Sequence, residues 1–244
     1  MIRQASYADK AALRDIWGAA FHEDTSYTAF IIDHCLKLGT VYWHPRGLAC
    51  LTLFPVLLFC GERGKYMEGR YVYGVATHPS TQRKGYSSLL LEHVSDLFPF
   101  LLLFPASDAL SAFYKARGFG QTVNVPEPIL SVQKSTPPED IVFPGVADPD
   151  RYKFYLESAA VFGNAFVWPE EMFSFACEEC LFRDGSIGPD RLSYPHQTGR
   201  EEKLFISSPG TLNKNCNKGL VRFSEKKDAR KYIPDASFFA LPLD

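Results

Sequence analysis

The run from Val75 to Leu91, Val-Ala-Thr-His-Pro-Ser-Thr-Gln-Arg-Lys-Gly-Tyr-Ser-Ser-Leu-Leu-Leu, constrains this chain more than any other stretch. Upstream of it, Arg70-Tyr71-Val72-Tyr73 is rich in aromatic and β-branched residues, which suit a strand. Downstream, Tyr86, Leu90, Val94 and Leu97 recur at the helical period. Between them lies a short polar loop, so the pattern predicts strand, loop and amphipathic helix in succession. Gly85 and the small Ser87 and Ser88 at the helix start leave little side-chain bulk over the backbone. A helix N-terminus offers unpaired N–H groups and the positive end of a dipole, and Arg83 and Lys84 add charge. The loop is expected to cradle an anion, a pyrophosphate above all.

Gln82-Arg83-Lys84-Gly85-Tyr86-Ser87 resembles the Q/R-x-x-G-x-G/A signature of the GCN5-related N-acetyltransferases (GNAT). Val75-Ala76-Thr77-His78-Pro79 resembles that family's strand entry into its loop. Ser87 departs from the usual Gly or Ala, yet is small enough to keep the backbone accessible. The resemblance implies that the loop backbone, from Gln82, Arg83, Lys84 and Gly85 through Tyr86, Ser87 and Ser88, holds the pyrophosphate of acetyl-CoA. It also implies that the pantetheine arm lies along Val75, Ala76 and Thr77 like an added strand. A G-x-x-x-x-G-K-[ST] pattern, which a nucleotide-binding P-loop would need, is absent from this loop.

The rest of the first half is consistent with that family. Ile2 to Ala5 reads as a first strand, and Ser6 with Asp9 three places on has the spacing of a capping box. Leu13, Ile16, Trp17 and Ala20 form a helical face, and a second helix is expected from about Tyr27 to Leu38, stopped by Gly39. Thr40 to Trp43 and Leu48 to Cys60 are strand candidates, with Pro55 pointing to an edge or bulge. A turn at Gly61-Glu62-Arg63-Gly64 leads into the next strand. Phe100 to Phe104 reads as a strand buried on both faces. Ser107 or Asp108 caps a helix carrying Leu110, Phe113 and Tyr114, ended by Gly118. The order β-α-α-β-β-β-α-β-α resembles the GNAT fold, and Phe113-Tyr114-Lys115-Ala116-Arg117-Gly118-Phe119 resembles the family's F-Y-x-x-x-G-F segment.

Ser135-Thr136-Pro137-Pro138-Glu139-Asp140 is a polar, proline-containing break. It divides an expected catalytic domain at 1–134 from a smaller second domain at 138–244. Beyond it, Asp148 to Gly163 and Pro169 to Phe182 read as helices, and Lys203 to Ser207 and Gly219 to Phe223 as short strands. The apolar run Ala236 to Leu243 should be tied into the structure. The whole plan is α/β (α+β): a mixed central sheet flanked by helices, then a degenerate GNAT-like α+β half, as in Eis-like relatives.

Composition narrows the field of partners. A net charge of −2 gives no electrostatic case for nucleic acid. The apolar runs Leu48 to Cys60 and Leu97 to Phe104 are too short for a membrane helix, and Met1-Ile2-Arg3-Gln4-Ala5 opens no signal pattern. A cytoplasmic protein is expected, with no membrane or nucleic-acid partner and its oligomeric state open. Cys177-Glu178-Glu179-Cys180 has redox or half-zinc spacing, but it sits in an expected helix among acids, without a second pair. Buried apolar cysteines are the better reading. The histidines share no ligand spacing, so no metal is expected.

Family resemblance then assigns the chemistry. Tyr114 stands where many members have the tyrosine that protonates the coenzyme A thiolate, and Ser107 joins the cofactor-binding set. Many members carry a Glu on the strand before the loop, where this chain has Tyr71 and Tyr73. The base is therefore left between a water chain and the terminal carboxylate of Asp244, because Eis-like relatives bring their C-terminus to the active site. Glu23 and Asp24, between the first two helices, are expected to attract a small-molecule or peptide amine, with a plain polar loop as the alternative. His78 is expected to serve the turn. The function implied is acetyl transfer to an amine by direct attack in a ternary complex; a non-catalytic acyl-CoA binder is the alternative.

Overall fold

A computed structural model describes residues 1–61, 64–131, 148–205, 216–224 and 238–239. In chain order the first elements are β1 (Arg3–Gln4), α1 (Lys10–Phe21), α2 (Thr25–Leu38), β2 (Thr40–His44), β3 (Ala49–Cys60) and β4 (Lys65–Thr77). Then come α3 (Tyr86–Val94), β5 (Phe100–Leu103), α4 (Asp108–Lys115), β6 (Gln121–Pro126) and β7 (Ile129–Ser131). The remainder comprises α5 (Pro149–Ala160), β8 (Asn164–Val167), α6 (Glu170–Phe182), β9 (Ser186–Ile187), β10 (Arg191–His196), β11 (Gly199–Leu204), β12 (Cys216–Phe223) and β13 (Phe238–Phe239).

The chain divides into two compact units that do not follow the sequence in simple halves. The first takes Met1–Val56, Glu68–Gln121 and the segment that begins at Leu220. Its strands run in the order β1-β2-β3-β4-β5-β12. β1–β2, β2–β3 and β5–β12 are antiparallel, and β4–β5 is parallel. Leu51, Leu53, Val72, Leu101, Leu103 and Leu220 supply its core from the sheet, and Leu90, Leu91 and Val94 of α3 close over it. The β12 strand was expected as part of the second half; it pairs Leu220 with Leu103 and Phe223 with Phe100.

Local chemistry explains the boundaries. Asp9 accepts from the Ser6 N–H at 2.9 Å and completes the capping box read from the sequence. Arg3 beside Asp9 holds that carboxyl well below the usual carboxylate range. α2 starts earlier than expected, at Thr25, because the Asp24 carboxylate accepts from the Tyr27 N–H at 2.8 Å and caps it. Gly39 ends that helix in an extended conformation, not a left-handed one. The glycine is needed for close approach: a Cβ there would lie 2.7 Å from the Thr52 methyl and 3.0 Å from the Phe54 ring. Pro55 lies beyond the last β2–β3 rung, Thr40–Leu53, and before the first β3–β8 rung, Leu57–Val167, so neither of those ladders needs a donor from it.

The second unit takes Leu57–Met67, Thr122–Gly219 and the β13 residues. Leu57–Cys60 of β3 pair with β8, which also pairs with β13. A separate antiparallel sheet runs β7-β11-β10-β9. In this unit Tyr155 stacks on Phe173 and Phe205 meets both edge-on, with ring centroids 4.9 to 6.3 Å apart. The Trp168 N–H donates to the buried Tyr155 hydroxyl at 3.0 Å. Cys177 and Cys180 are buried on α6, and burial pushes their thiols up to about 12 and about 11. No described helix is long and apolar enough to cross a membrane. The expected break at Ser135 to Asp140 lies outside the described residues, as do Glu62, Arg63, part of Lys203 to Ser207 and most of Ala236 to Leu243.

Candidate cofactor-binding cleft

β4 and β5 begin side by side and then part. Their parallel rungs are Arg70–Leu101 and Tyr71–Leu102, after which β4 runs on from Val72 to Thr77 while β5 ends at Leu103. A bend accompanies the separation. Gly74 has φ +59, and a Cβ on it would fall 1.9 Å from Cζ3 of Trp17, so only glycine lets β4 turn over the buried indole. The consequence is a strand edge, Val72 to Thr77, that is not laddered to β5 and leads straight into the polar loop. Val75 and Thr77 are half-buried there and Ala76 is buried.

The loop is held from inside. The His78 N–H donates to the Leu48 carbonyl at 2.9 Å, and the His78 ring accepts from the Ser80 N–H at 3.3 Å. The Thr81 hydroxyl donates to the Gly47 carbonyl at 2.6 Å, and the Gln82 amide to the Thr77 carbonyl at 3.2 Å. His78 therefore does serve the turn, and Gln82 ties the loop back to the strand. Arg83 sits at φ +62 and Gly85 at φ +82, both left-handed positions, so the loop turns sharply twice before the helix begins. A Cβ on Gly85 would meet nothing within 4 Å, so the turn opens onto free space. The first helical bond runs from Leu89 N–H to the Gly85 carbonyl at 3.0 Å. Among the described residues no acceptor serves the N–H groups of Tyr86, Ser87 and Ser88.

Both serines are used sideways. Ser87 and Thr77 share a hydroxyl hydrogen bond at 2.8 Å, linking the helix start to the end of β4. Arg117 donates to the Ser88 hydroxyl from Nε at 3.0 Å and from a terminal nitrogen at 2.7 Å. Sequence reasoning quoted Arg117 only as a filler position in Phe113–Phe119. Its role depends on where α4 ends relative to α3, which no local pattern encodes.

The remaining candidates are distributed as follows. Tyr114 is 8% exposed on α4, between the rings of Phe113 and Phe119 at 5.2 and 5.8 Å. Burial pushes its phenol up to about 12, against a smaller opposing influence of Arg117, so it holds its proton at neutral pH. The exposed Ser107 caps α4 by accepting from the Leu110 N–H at 3.3 Å. Glu23 is exposed, and Asp24 is occupied as the cap of α2. Tyr71 and Tyr73 are both buried in β4. Asp244 lies outside the described residues.

This arrangement can bind an extended anion. A strand edge offers amide groups to a chain-like ligand, and the loop beyond offers N–H groups and charge to its phosphates. No protein-family model matches the sequence, and no curated protein matches it. Solved structures do match. A GCN5-related N-acetyltransferase from Anabaena variabilis ATCC 29413 aligns over 93% of this chain and 74% of its own, at 14% identity with a TM-score of 0.62. The fold is that of the GCN5-related N-acetyltransferases. A conserved protein of Enterococcus faecalis V583 aligns over 83% of this chain at 15% identity with a TM-score of 0.54. Eis1 from Mycobacterium abscessus aligns over 84% at 16% identity with a TM-score of 0.52. The chain spans 53% of the length of each of these two GNAT-fold neighbours.

Proposed function

We propose that this protein is an acetyl-CoA-dependent N-acetyltransferase. The observation that carries the reading is the parting of β4 from β5 directly before a helix start with unaccepted N–H groups. The pantetheine arm would pair along Val75 to Thr77, and the pyrophosphate would lie over Gln82 to Ser88. A β4 N–H facing the thioester would polarise its carbonyl, a preorganised donor of the kind that supplies much of the rate in acyl transfer. The amine nitrogen attacks the carbonyl carbon, the C–S bond breaks, and the thiolate leaves on coenzyme A. Tyr114, protonated at neutral pH, donates to that thiolate, and the proton lost by the amine leaves through water or a carboxylate. Glu23 is the carboxylate proposed to attract the cationic acceptor.

A binder without turnover is the second reading. It is supported by Tyr71 and Tyr73, buried where a strand carboxylate would otherwise act as the base. Thermal shift separates coenzyme A chemistry from a nucleotide site: acetyl-CoA is expected to raise the melting temperature further with each tenfold rise in its concentration, and ATP is not. A shift with ATP alone would overturn both readings.

A further inference from the structure

Arg117 follows α4 and reaches the first turn of α3. Besides its two bonds to the Ser88 hydroxyl, it donates to the Phe113 carbonyl at 2.6 Å, and its guanidinium carbon lies 3.5 Å from the Phe113 ring centroid. Its own carbonyl accepts from Arg222 of β12 at 2.7 Å. A Cβ on the next residue, Gly118, would stand 3.3 Å from Arg222 Nε, so that residue is held close as well. The guanidinium is thus fixed on several sides, and its planar fork has little freedom left to lose.

Its position answers to two helices: α4 ends beside it, where the Phe113 carbonyl it binds favours a cation, and α3 begins beside it, where a cation is opposed. A cation at the positive end of a helix is unfavourable, and Arg83 and Lys84 in the adjoining loop add like charge. Among the described residues none of these three cations pairs with a carboxylate. A neutral donor could hold Ser88 without that repulsion. An anion with several negative oxygens at the loop would turn that repulsion into attraction, which a neutral donor to Ser88 could not do.

We infer that Arg117 is a positioning residue for the donor's pyrophosphate: through Ser88 it fixes the first turn of α3, and it keeps a positive charge beside that turn's N–H groups. Ser87 and Thr77 fix the same turn from the strand side. The inference rests on the coenzyme A reading above. It also predicts a selective defect, because a ligand without phosphates gains nothing from Arg117.

The test is calorimetric titration of the full chain with coenzyme A and, separately, with pantetheine, which lacks the pyrophosphate and the nucleotide. Arg117→Met is expected to weaken coenzyme A at least tenfold and leave pantetheine within twofold. Arg117→Lys keeps the charge without the two-pronged grip and should fall between. The double variant Arg117→Met/Ser88→Ala should bind no more weakly than Arg117→Met, since both remove one linkage. Arg117→Lys also carries the test if the methionine variant does not fold. Coenzyme A affinity within twofold of wild type in both Arg117 variants, or an equal loss for pantetheine, would overturn the inference. A wild-type protein that binds no coenzyme A would overturn the cradle itself.

Discussion

Tyr114 shows how one residue can satisfy packing and chemistry together. It belongs to the core of the first unit, and the same burial keeps its phenol protonated far above neutral pH. An acid that donates to a leaving thiolate must carry its proton when the C–S bond breaks. Tyr114→Phe is therefore expected to lower turnover about 10²–10⁴-fold, the usual worth of a positioned acid, with acetyl-CoA affinity little changed. Steady-state kinetics with a calorimetric affinity checks both halves; unchanged turnover would remove Tyr114 from the mechanism. A pH dependence follows from the same residue. Its folded pKa, about 12, lies above the ordinary value near 10, so the unfolded chain releases this proton first as pH rises. The stabilisation is complete below pH about 10 and is lost on the way to pH about 12. Urea unfolding at intervals across that window should show a shallower alkaline loss in Tyr114→Phe than in wild type.

At the scale of elements, legibility followed locality. The strand, loop and helix around Gln82–Ser87 could be read because propensity, periodicity and small residues all lie within one short window. The caps at Ser6 and Ser107 obey the same logic. The sequence did not disclose why Gly39 must be glycine, because Thr52 and Phe54 come from another strand. It did not disclose Arg117 on Ser88 either. The strands β6 to β10 were missed since they are short and, β8 apart, half-polar; Arg191-Leu192-Ser193-Tyr194-Pro195-His196 carries no clean alternation and gains its order from β9 and β11. Asp24 makes the tension between local and tertiary roles testable. Asn caps a helix as well as Asp, so Asp24→Asn should leave the unfolding midpoint unchanged, whereas Asp24→Ala should cost about 1 kcal/mol. An acceptor KM raised in Asp24→Asn would mean the carboxylate also meets the amine. An unchanged KM would confine it to the cap.

For the whole molecule, the order of the chain and the order of the sheet diverge. The first unit completes its sheet with Leu220–Phe223, which pair along β5, and Leu220 is fully buried. A fragment ending at residue 134 lacks that strand and would leave the β5 edge and its leucines open to water. It should show no cooperative urea transition, where the full chain does. A sharp transition in the fragment would mean that β12 is dispensable. The fold, shared with N-acetyltransferases at 14 to 16% identity, does not by itself assign an activity. The most direct measurement is release of free coenzyme A thiol from acetyl-CoA by the full chain, across a panel of polyamines, aminoglycosides, amino acids and lysine peptides. Mass spectrometry of the acceptor accompanies each reaction. The account predicts amine-dependent thiol release with one acetyl group gained per thiol freed; tight acetyl-CoA binding with no release above the uncatalysed rate for any amine would contradict it.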